Sequence, residues 1–236
     1  ALLGGQQDAG RVSLSVETFE LGDDFTPVCL APSADGRRLF VAAMPSSSAD
    51  PGASIISSRL YRFDTRNPQT FLALDVPGEL ADLALTPDGG TLLAVNVTRQ
   101  ALQAVDASRL TLARTIPLAA SPNDILRPMA VAASGDGRRA YVGNAAGHSI
   151  SVIDLTTGQT RQPIVIPTTD NAAAAQFGGV DPRIDLALTP TGDRLYAAVF
   201  YVDETNHKRG VAGLFYLTLG LPEEWTLTQG FVMPLA

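Results

Sequence analysis

Two carboxylates, Asp82 and Asp185, stand directly before look-alike segments, Leu83-Ala84-Leu85-Thr86-Pro87 and Leu186-Ala187-Leu188-Thr189-Pro190. Arg127 and Arg183 lie nearby, in the links that lead into such segments. Converging carboxylates can hold a cation or divide the work of general acid and general base, and guanidinium groups beside them can orient an anion. The plainer reading is that Asp82 and Asp185 accept hydrogen bonds from backbone or arginine and tie neighbouring elements together. A second polar cluster, Asp203, Glu204, Asn206, His207, Lys208 and Arg209, contains ligand-type side chains. Its spacing follows no calcium or zinc pattern, and a solvated hairpin tip is the simpler account. His148, beside Gly147, reads as a turn residue. Cys29 lies in an apolar stretch, where a lone thiol is normally packed and inert. Asp82, Arg127, Arg183, Asp185, Asp203, Glu204 and His207 are the candidate binding positions; none is assigned a catalytic or metal-holding role.

Composition narrows the chemistry further. One cysteine in 236 residues excludes an intrachain disulfide and multi-thiolate zinc sites, and two histidines leave little for a metalloenzyme. A net charge of −7 argues against nucleic acid, whose phosphates call for clustered Lys and Arg. No apolar run reaches the roughly 18 residues of a membrane helix, so the chain has no helical membrane span of its own. Phosphate-loop, nucleophile-elbow, haem-attachment and metalloprotease patterns are missing, and no cofactor is expected.

The elements that must position these residues are written in an internal repeat. Four segments share one pattern, an apolar strand, a small or turn-forming stretch, Asp-Gly or a relative, and a second apolar strand. They are Cys29 to Val41, Leu83 to Asn96, Val131 to Asn144 and Leu186 to Val199, with turn glycines at Gly36, Gly89, Gly137 and Gly192. Asp-Gly between apolar runs predicts a tight hairpin, because glycine enters positive φ without a Cβ penalty. A third strand follows in each unit, closing on Asp64, Asp106 and Asp154 in the first three and running Leu214 to Leu217 in the last. Fourth strands are expected at about 69–75, 111–118, 160–166 and 225–233. Four short strands in about 50 residues read as one propeller blade. Runs such as Leu92-Leu93-Ala94-Val95, apolar on both faces, fit sheets sandwiched between neighbours.

Tyr141-Val142-Gly143-Asn144, followed by Ile150-Ser151-Val152-Ile153-Asp154 and Thr157-Gly158, closely resembles the YVTN-type β-propeller repeat. The likeness covers roughly 27–233. It departs at Ala43 and Val199, which stand near the place of the repeat's asparagine. The family occurs in surface-layer and other exported bacterial proteins and is similar in architecture to lactonase-like propellers and to heavy chains of quinoprotein amine dehydrogenases. The resemblance implies an all-β propeller and a periplasmic, secreted or cell-surface location. The chain begins at Ala1 without methionine, which fits either a processed, exported form or a piece of something longer.

The expected organisation is a loose lead-in over 1–10 and a single propeller domain over 11–236, with blades at about 27–75, 80–118, 128–166 and 183–233. An extra alternating strand is predicted at about 12–19, resembling the outer strand of a preceding blade. Four blades leave three arrangements open: a segment of a larger propeller, an open arc completed by a partner, or a four-bladed ring sealed by the N-terminal strand. In a meander, the Asp-Gly turns and the third-to-fourth turns share one face. The longer connections, about 43–58, 119–127, 167–182 and 201–210, share the other, and such loops on a rigid scaffold commonly carry binding. A non-catalytic scaffold or accessory subunit that binds a protein partner or larger assembly is the first expectation. The alternative is a lactonase-like hydrolase or the propeller subunit of a redox complex.

Overall fold

The computed structural model describes residues 21, 24–45, 57–121, 123–166, 181–203, 208–219 and 225–231, and among them every regular element is a β-strand. The extra strand expected at 12–19 and the lead-in fall outside the described residues. Four antiparallel sheets follow one another along the chain, each a meander. The first contains β1 (Phe25–Pro32), β2 (Arg38–Pro45), β3 (Ser57–Asp64) and β4 (Asn67–Pro77). The second contains β5 (Leu80–Leu85), β6 (Thr91–Asn96), β7 (Ala101–Asp106) and β8 (Thr111–Pro117). The third is built on β9 (Pro128–Ala133), β10 (Arg139–Asn144) and β11 (Ser149–Asp154). Its outer edge holds two short pieces, β12 (Gln159–Thr160) and β13 (Ile164–Val165). The fourth contains β14 (Asp181–Leu188), β15 (Arg194–Asp203), β16 (Lys208–Leu219) and β17 (Trp225–Phe231). The chain is a β-propeller, with four such blades among the described residues.

The first hairpin of each blade is fixed by side chains close in sequence. Ser33, Thr86 and Ser134 donate to Asp35, Asp88 and Asp136, each at 2.6 Å, and accept from the N–H groups of Arg38, Thr91 and Arg139. Gly36, Gly89, Gly137 and Gly192 all take φ between +66° and +72°, as the turn requires. The fourth blade departs from the pattern: Thr191 stands where the others have aspartate, and Thr189 donates instead to Asp193 at 2.7 Å. The third-to-fourth turns lie on the same face as these hairpins, since Thr65 Oγ1 reaches the Gly36 carbonyl and Leu155 N–H the Arg138 carbonyl.

Sheets pack face to face, and side chains alternate between the two neighbours as a pleated strand dictates. Phe40, Ala42 and Leu60 of the first blade meet Leu80, Leu83, Leu92 and Ala94 of the second. On the other face of β6, Leu93 and Val95 meet Val131, Ala140, Val142 and Ile153 of the third. Tyr141, Ile150 and Val152 in turn meet Ile184, Leu195, Ala197 and Val199 of the fourth. Gly143 permits this last approach, because a Cβ there would lie 2.9 Å from Ile184 Cγ2. Ala43 and Val199, where the repeat's asparagine is expected, are buried apolar residues. The innermost strands adjoin in the order β1, β5, β9, β14, and no comparable packing joins β14 back to β1 among the described residues. The four blades form an arc.

Several boundaries differ from those the sequence suggests. β15 runs to Asp203 and β16 begins at Lys208, so the connection spans only 204–207. β14 begins at Asp181, which places Arg183 inside a strand rather than in a link. The fourth strand of the third blade is broken across Arg161–Pro163, where its register on β11 slips by one residue. Pro163 has no N–H to give the ladder.

Candidate functional site

Counting back from each turn glycine brings Cys29, Asp82, Ala130 and Asp185 to one repeat position on the innermost strands. Asp82 and Asp185 thus lie within β5 and β14, not before them. Both oxygens of Asp82 are occupied: Oδ1 accepts from its neighbour Leu83 N–H at 2.8 Å, and Oδ2 accepts from Val131 N–H of the next blade at 2.8 Å. Burial holds the Asp82 carboxyl above the usual carboxylate range; the two backbone donors oppose that shift and the charge of Asp185 adds to it. Asp185 is exposed and accepts from Leu186 N–H at 2.9 Å. Asp82 is thus committed to holding backbone.

Burial, with help from the Asp82 charge, pushes the Cys29 thiol up to about 12. Cys29 is partly buried and packs against the core between the first two blades. Arg127 precedes β9 at φ +53°, and its carbonyl accepts from Ala145 N–H. Arg183 pairs in register with Phe200. Asp203 pairs in register with Lys208 at the far end of its hairpin, while Glu204 and His207 lie outside the described residues. Of the positions singled out from sequence, Asp82 and Asp185 share one repeat position on the innermost strands of the second and fourth blades. Among the described residues, no three of His, Cys, Asp and Glu gather as metal ligands. His148 is a turn residue, at φ +43°.

The more informative surface lies on the long-connection face, at the link between the second and third blades. Asp124 and Leu126 of this link are pinned from both sides. Gln100 donates from Nε2 to the Asp124 carbonyl at 2.7 Å and accepts at Oε1 from Leu126 N–H at 2.6 Å. From the other side, Ala146 and Gly147 N–H groups reach the Leu126 carbonyl. On this fixed loop Ile125 is 77% exposed. Beside it a cleft of about 450 Å³ opens between the blades, walled by Pro117, Leu118, Leu126 and Pro163 and floored by Asn144, Ser149 and Ser151. The sequence singles out none of these floor residues as a site. The available signal is a contrast between repeats, since Gln103 of the second blade becomes Ser151 in the third.

No family model matches the chain, and no curated protein does. Solved structures match it as a fold. Hydrazine synthase from Kuenenia stuttgartiensis superposes with a TM-score of 0.54 at 19% identity, over 92% of this chain and 65% of that one. The WD40 repeats of RRP9 superpose with a TM-score of 0.53 at 13% identity, over 80% of this chain and 52% of that one. A putative 6-phosphogluconolactonase from Bacteroides uniformis gives a TM-score of 0.50 at 17% identity, over 92% and 72%. The chain spans less than two thirds of the length of the first two. At these identities the likeness establishes the propeller fold.

Proposed function

We propose that this propeller is a non-catalytic, exported scaffold or accessory subunit of the YVTN type, which binds a protein partner through its long-connection face. The observation that carries this reading is Ile125, a large apolar side chain 77% exposed on a loop held at both ends. A rigid, solvated apolar residue loses little conformational entropy on docking, and anchors of this kind dominate protein interfaces. The inner-strand carboxylate Asp82 supports the same reading, because its oxygens are spent on Leu83 and Val131.

The test is capture of partners from the native source on the wild-type chain and on Ile125→Asp, with circular dichroism and thermal melting as folding controls. A partner retained by the wild type and lost by Ile125→Asp, with melting unchanged, is the expected result. Equal recovery on both proteins removes the face from the account. Turnover of a lactone panel by the wild type would replace the scaffold with the hydrolase alternative.

A further inference from the structure

The second and third blades build the same corner differently. In the second, Asn96 is fully satisfied. Its Nδ2 donates to the Pro77 carbonyl at 2.9 Å and to Gln103 Oε1 at 3.3 Å, and its Oδ1 accepts from Arg99 N–H at 2.9 Å. In the third blade, Asn144 occupies the same position and is 0% exposed. Its Nδ2 donates to Ser149 Oγ at 3.2 Å and Ser151 Oγ at 2.8 Å. Its Oδ1 has no partner and is the single such buried side-chain atom among the described residues. The causes are local. Ser151 replaces the longer Gln103, which leaves space. Gly147, three residues after Asn144 as Arg99 is after Asn96, gives its N–H to the Leu126 carbonyl instead. The break in the outer strand at Pro163 then opens the corner as the cleft beside the pinned loop.

A buried acceptor without a donor loses its hydration with nothing in return, and native structures retain such groups where something else completes them. The floor offers a complementary set. Because Asn144 Nδ2 donates to both serine oxygens, each hydroxyl keeps its own proton to give to another acceptor. One acceptor flanked by hydroxyl donors matches an amide, whose N–H meets Oδ1 and whose carbonyl meets a serine hydroxyl. Pro117, Leu118, Leu126 and Pro163 give the lining an apolar side that suits the carbons flanking that amide, while Asp124, Thr160, Arg161 and Gln162 add polar groups to the same cleft. A volume of about 450 Å³ accommodates a short peptide segment.

We infer that this inter-blade cleft is a peptide-binding subsite, in which a backbone amide of a partner segment completes Asn144 with Ser149 and Ser151. The inference deepens the scaffold reading and rests on it, since the cleft shares the loop 118–127 with Ile125.

The experiment uses the whole chain labelled with ¹⁵N and N-acetylalaninamide methylamide, a capped single-residue peptide, as the probe. Titration to millimolar concentration should shift the Asn144 side-chain NH₂ signals and the amides of Leu118, Ser149, Ser151 and Arg161. Ser151→Gln installs the second blade's side chain, fills the space, and should abolish those shifts while leaving the fold intact. Ile125→Asp should leave the shifts unchanged, which separates failure of the cleft from failure of partner capture. No shift in the wild type overturns the inference. So do shifts that survive Ser151→Gln, or a crystal soaked with the probe in which one ordered water alone satisfies Asn144 Oδ1.

Discussion

Asp82 Oδ2 accepts a hydrogen bond from Val131 N–H at 2.8 Å, joining the innermost strands of the second and third blades. Asp82→Ala should leave that N–H without its acceptor and lower stability by about 1–3 kcal/mol. Asp82→Asn should keep one of the two backbone bonds and cost less. Urea unfolding of the three proteins at neutral pH checks the order.

The same residue sets a pH dependence. Its folded pKa is raised by burial, so the folded chain holds this proton more tightly than the unfolded chain does. Its contribution to stability therefore falls as pH rises from the ordinary carboxylate value through the raised one. Asp35, Asp88 and Asp136 are held below the ordinary value, first by the Ser33, Thr86 and Ser134 hydroxyls. Their contribution is present above that value and is lost as pH falls through the depressed one. The wild type should lose stability in acid, and its stability relative to Asp82→Asn should decline as pH rises. Urea midpoints across pH 2 to 7 test both signs.

Thr86→Ala removes the hydroxyl that donates to Asp88 and accepts from Thr91 N–H. A loss of about 1 kcal/mol is expected, with Thr86→Ser near wild type. Carboxyl NMR should show Asp88 returning toward the ordinary range in the alanine variant alone.

Gly143 and Ile184 should be energetically coupled across the boundary between the third and fourth blades. A Cβ at 143 meets Ile184 at 2.9 Å, so Gly143→Ala should cost about 1–3 kcal/mol through overpacking. Combined with Ile184→Ala, much of that cost should vanish, and a double-mutant cycle measures the coupling.

Cys29 should resist alkylation. With its pKa near 12 against the ordinary 9.0, the thiolate is scarcer by roughly a thousandfold at neutral pH. Iodoacetamide should label it slowly in buffer and quickly in denaturant, followed by intact mass.

The blade pattern was legible because its determinants are local. Asp-Gly turns with Ser or Thr three residues before the glycine, and alternating apolar strands, state their conformation within a few residues, and the structure builds four sheets upon them. The purpose of Asp82 was only half visible. Its repeat position pointed inward, but the Val131 N–H that it accepts lies 49 residues away and comes into reach only through blade packing. Pro163 signalled a strand break that a smooth run over 160–166 overlooked. The cleft was the hardest to read. Ser151 in place of Gln103 matters only once both are known to lie beside an asparagine on a face covered by the next sheet.

The serial contact of β1, β5, β9 and β14 makes the molecule a one-dimensional array of nearest-neighbour units. Opening the second or third blade breaks two inter-blade interfaces, whereas opening the first or fourth breaks one. Amide protons of β6 and β10 should accordingly exchange last and those of β2 and β15 sooner, a gradient set by position in the array. Ile125 and the cleft beside it belong to the boundary between the two most protected units. The most exposed large apolar side chain among the described residues is therefore expected to be presented from the place where fluctuations are smallest.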